Sequence, residues 1–245
     1  MEFTGKTALV TGAATGIGRA VAIKFAQNGA NVVLVDINSD KLESVKTEIK
    51  AYTQNVMALT CDISNETAVY EAVREATGMF SRIDILINNA AVWRCWDSFV
   101  NTATEEWRKF MDVNILGTVY LTKAVLPAML ENSYGKIVNV ASVAGVYGIA
   151  NMVHYSATKG AVIAMTRALA KEVTDKGVYV NCVSPGSVSP AENPDMDYYE
   201  KNELSFLGRT GTDNENANLI CFLASDEASY IAGQNIQIDG CRKKQ

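Results

Sequence analysis

Short apolar runs alternate with longer amphipathic stretches along nearly the whole chain. The first run, residues 6–11 (KTALVT), leads into a glycine turn at 12–18 and a helical pattern over 17–28; residues 31–36 (NVVLVD) read as a second strand and 39–51 as a helix with charges on its exposed side. Strand-like runs recur at 56–61 and 83–88 around a helix that starts near Asn65-Glu66, and again at 135–141, 178–183 and 235–239. Between them the spacing predicts helices over 104–132, 153–176 and 215–225. The strands are continuous apolar runs, the pattern of strands covered on both faces. Strand and helix in turn predict an α/β fold: a doubly wound, mainly parallel seven-stranded sheet with helices on both faces, in a single domain over residues 1–245.

Composition narrows the partners. No proline-rich linker, repeat or low-complexity stretch divides the 245 residues, and a 48% hydrophobic share supplies one large core. Acidic residues outnumber basic ones, 27 to 22, and the basic cluster Arg242-Lys243-Lys244 lies at the tail, so no nucleic-acid or membrane partner is expected. Residues 137–158 hold no Asp, Glu, Lys or Arg, but Asn139, Ser142, Asn151 and His154 interrupt them too often for a membrane span. Five cysteines without a Cys-x-x-Cys pair fit a reducing compartment, and a single histidine leaves no multi-histidine metal site. The N-terminus lacks a basic region leading into a long apolar run, so a cytoplasmic protein without a bound metal is expected. Residues 186–211 break the strand–helix alternation with Pro190, Pro194 and Tyr198-Tyr199, and read as a substrate loop.

Three features carry chemistry. Glycines 12, 16 and 18 after the first strand permit a tight turn whose N–H groups approach a pyrophosphate at a helix N-terminus. Asp36 ends the second strand 18 residues after Gly18, where a carboxylate accepts bonds from ribose hydroxyls and repels a 2′-phosphate. No Lys or Arg stands at Ala13, Ala14, Thr15 or Ile37 to neutralise that phosphate, so NAD is favoured over NADP; Arg19, just past the turn, is the main basic residue set against that choice. Finally, Tyr155 and Lys159 lie four apart on one helix face, where an ammonium stabilises a phenolate and makes the phenol a usable general acid or base. His154 points about 100° away from Tyr155 around the helix and reads as a packing residue. Ser142 lacks a Gly-x-Ser-x-Gly elbow, which argues against a serine hydrolase.

The glycine turn, Asp62, Asn88-Asn89-Ala90, Asn114, Ser142, Tyr155, Lys159 and Pro185-Gly186 occur together in an order that resembles the short-chain dehydrogenase/reductase family over nearly the whole chain. The resemblance implies a Rossmann-like fold and hydride transfer between NAD(H) and a secondary alcohol or ketone. It implies cofactor contacts from Gly12, Thr15, Gly16, Ile17 and Gly18, from Asp36 and Ile37, and from Asp62 and Ile63 at the adenine. Asn89 and Ala90 would line a ribose, and Pro185, Gly186 and Val188 the nicotinamide, Val188 through its backbone. Four catalytic roles follow: Tyr155 exchanges the substrate proton, Lys159 lowers the Tyr155 pKa and holds the nicotinamide ribose, Ser142 bonds the substrate oxygen, and Asn114 steadies a water that links Lys159 to solvent.

A homotetramer built on the helices over 104–132 and 153–176 is implied as well. The rival readings are a ketone or 3-oxoacyl reductase, a role that goes with NADPH, and an inactive nucleotide-binding scaffold of the same fold. Three positions depart from the family pattern: Ala91 and Cys241 stand where glycine is usual, and Pro190 replaces a threonine that bonds the nicotinamide amide. Trp93, Arg94 and Trp96, with Val143 and Tyr147, flank the carboxyl ends of the strands, where ligands bind in open α/β sheets. As a substrate pocket they suggest an apolar or ring-shaped alcohol.

Overall fold

The computed structural model describes residues 1–94, 96–189 and 205–243. Its strands are β1 (Thr7–Thr11), β2 (Asn31–Asp36), β3 (Val56–Thr60), β4 (Ile85–Asn88), β5 (Gly135–Val140), β6 (Val178–Pro185), β7 (Val188–Ser189), β8 (Gly211–Thr212) and β9 (Asn235–Ile238). Seven of them form one sheet in the order β3-β2-β1-β4-β5-β6-β9, every neighbouring pair parallel. The helices are α1 (Gly16–Gln27), α2 (Ser39–Ile49), α3 (Glu66–Phe80), α4 (Thr104–Met111), α5 (Gly117–Glu131), α6 (Ala144–Tyr147), α7 (Val153–Val173) and α8 (Asp213–Ala224).

Side chains leave each strand on alternating faces, and both faces are buried. Ala8, Val10, Val32 and Leu34 pack with α1, α2 and α8, while Leu9, Val33, Val35 and Leu86 pack with α3, α5 and α7. Each fully buried Val or Leu contributes about 1.5–3 kcal/mol, which is why these strands read as unbroken apolar runs. The strand order reverses between β1 and β4, so the connections after them leave toward opposite faces and a crevice opens above their carboxyl ends.

Helix starts follow their caps. The Asn38 side chain accepts from Lys41 N and that of Asn65 from Ala68 N, each at 3.1 Å, which fixes α2 and α3. Thr212 and Glu215 form a capping box at α8, where Arg209 holds Glu215 with two bonds of 2.6 and 3.0 Å. That guanidinium pulls the Glu215 carboxyl down to about 2. The helix expected over 104–132 is interrupted by a π-helical segment, Asp112–Leu116, between α4 and α5. This composite, Thr104–Glu131, is long and apolar enough to cross a membrane by length and composition, yet Leu121, Val125 and Met129 are buried in the core over α3 and the sheet.

Two short elements lie outside the sequence expectation: α6, and the parallel pair β7–β8, which joins residues 188–189 to 211–212. Most of the expected substrate loop, residues 190–204, falls outside the described residues, as does Cys95. Pro190 is among them. Cys241 takes φ +61°, the left-handed conformation that glycine adopts without strain.

Candidate active site

The crevice is a cleft of about 1510 Å³. Its first wall is the turn after β1. Gly12 has φ +64°, and a Cβ there would lie 2.8 Å from Asn89 Nδ2, while one on Gly18 would lie 2.1 Å from the Gly12 carbonyl oxygen. Glycine at 12 and 18 thus lets β1, α1 and the end of β4 close on one another. Thr11 Oγ1 accepts from the Asn89 and Ala90 amides, both at 3.0 Å, and Asn89 Nδ2 donates to the Thr11 carbonyl at 2.9 Å. Thr15 precedes α1 in extended conformation without a side-chain cap, and the first turn holds no acidic residue. The opening amides of α1 are therefore left by their own chain as an anion cradle.

Asp36 is bonded into this wall: its two carboxylate oxygens accept from Ala14 N and Asn38 N, each at 3.0 Å. A carboxylate has acceptor sites beyond these two, so bonds from a diol remain open to it. Thr15, Gly16, Ile17, Asn89 and Ala90 line the cleft with Gly12, as does Ala91. Asp36, Ile37 and Gly18 do not line it; Ile37 is exposed and Gly18 packs beneath the turn. Asp62 and Ile63 also lie outside the lining. Asp62 is exposed and accepts from Ser64, and Ile63 packs on Gly117, where a Cβ would come within 2.6 Å of it. The glycines, the open amides of α1 and the carboxylate held beside the turn fit a dinucleotide.

The far wall holds Ser142 after β5, Tyr155 and Lys159 on α7, Pro185 at the end of β6, Gly186 just beyond it and Val188 in β7. Tyr155 is hydrogen-bonded to Ser142, whose Oγ also accepts from Ala144 N at 3.1 Å. Lys159 is 3% exposed, and its Nζ donates to the Val140 carbonyl at 2.7 Å. Burial pulls its ammonium down to about 8, and pushes the neighbouring Cys182 thiol up to about 11. The expected lowering of the Tyr155 phenol by Lys159 is corrected by this geometry. Burial raises the phenol, Ser142 opposes in smaller part, and Lys159 Nζ lies 5.8 Å from the ring centroid while donating to the Val140 carbonyl.

Asn114 is fully buried in the π-helical segment, away from the cleft lining. Its Oδ1 accepts from Val92 N at 2.8 Å, and Nδ2 donates to the Val92 carbonyl at 3.0 Å and to Thr158 Oγ1 at 3.1 Å. The side chain straps the segment after β4 to α7, one residue before Lys159. Thr158 escaped the sequence reading, since a threonine between tyrosine and lysine carries no signal of its own. So did the buried chain Asn88–Asn139–Thr166, with bonds of 2.9 Å, which ties β4 and β5 to α7.

Of the expected substrate residues, Trp93 and Arg94 line the cleft, with the guanidinium 5.0 Å over the indole. Trp96, Val143 and Tyr147 do not. Trp96 is 68% exposed, Val143 is buried with its N–H on the Pro185 carbonyl, and Tyr147 donates to Gln237 of β9. His154 is buried against Phe110, with ring centroids 4.2 Å apart. Among the described residues no group of three or more His, Cys, Asp or Glu gathers as a metal site.

A profile of the family described as enoyl-(acyl carrier protein) reductase matches residues 12–241. The chain is 38% identical to a 3-oxoacyl-[acyl-carrier-protein] reductase, FabG, of Thermotoga maritima over 98% of both chains. It is 35% identical to a 2-dehydro-3-deoxy-L-rhamnonate dehydrogenase (NAD(+)) of Sphingomonas sp., over 98% of this chain and 96% of that one. The crystal structure of NAD+-bound xylitol dehydrogenase superposes with a TM-score of 0.91 at 30% identity, over 98% of this chain and all of the other. By fold and relatives the chain belongs to the short-chain dehydrogenase/reductase family of oxidoreductases.

Proposed function

We propose that the protein oxidises a secondary alcohol to a ketone with NAD, reversibly, with Tyr155 as the general acid and base. The observation that carries this reading is one cleft with an uncapped helix N-terminus at one wall and the hydrogen-bonded Ser142–Tyr155 pair beside Lys159 at the other. When bound in the cleft, NAD would serve as the hydride acceptor. Ser142 bonds the substrate oxygen and stabilises the charge that develops on it. Tyr155 takes the hydroxyl proton as the alcohol is oxidised and returns it when a ketone is reduced. Lys159, charged below about pH 8, relays the proton outward. Asn114 fixes α7 so that Tyr155 and Lys159 face the cleft together.

The preference for NAD over NADP rests on the Asp36 carboxylate, taken to meet the ribose, and on the pairing of the Arg19 guanidinium with Glu48. Support for the alcohol class comes from relatives whose named reactions all join an alcohol and a carbonyl: a xylitol dehydrogenase, a deoxy-rhamnonate dehydrogenase and a 3-oxoacyl reductase. The reading includes a cytoplasmic homotetramer, for which exposed Met111, Leu116 and Val153 offer apolar helix surface.

Tyr155→Phe tests the mechanism. Turnover on a panel of steroid, polyol, acyl and cyclic alcohols falls by about 10²–10⁴, the range for a lost general acid–base, while NADH affinity stays within a few-fold. Retained turnover overturns the role of Tyr155. The 38% identity to a 3-oxoacyl reductase favours a second reading, reduction of a 3-oxoacyl group with NADPH. That reading replaces the first if 3-oxoacyl thioesters are reduced faster than any panel alcohol is oxidised, with NADPH outperforming NADH.

A further inference from the structure

The segment after β4 is held against the start of α7 at two points. Asn114 takes both backbone groups of Val92, at 2.8 and 3.0 Å, and donates to Thr158, whose hydroxyl donates in turn to the Tyr155 carbonyl at 2.9 Å. Farther along, Asp97 N donates to the Asn151 carbonyl at 3.0 Å, just before α7 begins at Val153. Trp93 and Arg94 leave the chain between these anchors and line the cleft together with Ser142 and Tyr155. The buried Lys159 ammonium is committed to the Val140 carbonyl. Arg94 is exposed, and among the described residues its guanidinium has the Trp93 ring as partner and no carboxylate. At 5.0 Å over the indole it lies within cation–π range, which orients the guanidinium plane and leaves its N–H edges open. A side chain ordered in this way gives up less freedom when it binds a ligand.

We infer that the substrate is a hydroxy acid: a secondary alcohol bearing a carboxylate, which Arg94 binds while the hydroxyl meets Ser142 and Tyr155. This rests on the alcohol reading above and deepens it by naming the substrate class. The planar fork of a guanidinium matches the two oxygens of a carboxylate. A single guanidinium balances one negative charge, which favours a carboxylate over a phosphate monoester with its charge near two. The guanidinium also stands over a face of Trp93, so that ring offers a substrate less apolar surface than a bare indole would. Arg94 is thus a specificity-determining residue and takes no part in the proton transfer.

The keto acid 4-oxopentanoate and its methyl ester share a ketone and differ in charge. Quenching of tryptophan fluorescence gives their dissociation constants in the presence of NAD, which cannot reduce the ketone. The wild type is expected to bind the acid about tenfold more tightly than the ester, equivalent to about 1.4 kcal/mol. Arg94→Gln is expected to bring that ratio to about one. Arg94→Lys keeps the charge without the fork and is expected to retain part of the preference, which separates lost recognition from a misfolded variant. A wild-type ratio near one overturns the inference, weak binding of both compounds included, and so does a preference that survives Arg94→Gln. The alcohol reading fails by a different result: neither 4-hydroxypentanoate nor any panel alcohol reduces NAD, whichever compound binds.

Discussion

Lys159 shows how one residue's placement sets chemistry that its spacing alone does not. Four positions from Tyr155, it reads in sequence as the cation that lowers a phenol pKa, and the burial that dominates both groups is invisible at that stage. In the fold the ammonium is 3% exposed and its value falls to about 8, below the ordinary 10.5 of an unfolded chain. Between about pH 8 and 10.5 the folded state therefore binds fewer protons than the unfolded one, and stability rises with pH across that window. Below about pH 8 both states are charged and the cost is constant. At 1.36 kcal/mol per unit, the gain of the wild type over Lys159→Met between about pH 7.5 and about pH 9.5 is roughly 2 kcal/mol. Urea unfolding of both proteins at the two pH values measures it. Parallel pH dependence of the two would show that Lys159 is not the group that titrates. Cys241 is a second case: its departure from glycine was legible, whereas the positive φ that makes the departure costly belongs to the folded backbone.

At the scale of elements, the seven sheet strands and the long helices were readable because burial on both faces leaves unbroken apolar runs, and because Asn65 marks a helix start. The pairing of β7 with β8 was not, since two-residue strands have no periodicity. Nor was the π-helical break at Asp112–Leu116, for Asp-Val-Asn-Ile-Leu carries no glycine or proline to announce it. That break is where Asn114 is presented to α7, in keeping with the habit of π-turns to occur at functional sites. Its amide satisfies both backbone groups of Val92 and reaches Thr158. Asn114→Ala strands the Val92 groups, at about 1–3 kcal/mol for each buried polar group left unpaired, and loosens α7 beside Lys159. We expect a loss of roughly 2 kcal/mol or more in denaturant unfolding and a fall in kcat larger than the change in NADH affinity. A variant with wild-type stability and kcat would remove the strap from the account.

Across the whole molecule, the cleft exists because of strand order. Reversal between β1 and β4 sends the turn after β1 and the segment after β4 apart, and β5, β6, α7 and α8 complete the walls. No single segment holds the site. A dinucleotide lying across it therefore links elements from both halves of the sheet and binds the folded state alone. At a ligand concentration of 100 times its dissociation constant, such binding adds about 2.7 kcal/mol to stability. For a chain of this length each kcal/mol raises the melting midpoint by about 2–4 °C, so NADH at that excess is expected to raise it by roughly 5–10 °C. On the proposed NAD reading, NADPH at the same concentration is expected to give a markedly smaller rise, because the Asp36 carboxylate is held by Ala14 N and Asn38 N and cannot turn aside without breaking both bonds. A thermal melt followed by circular dichroism distinguishes the outcomes. Equal shifts remove Asp36 as a discriminator, and the absence of a shift with either nucleotide would mean that the crevice at the strand reversal is not where a nicotinamide cofactor binds.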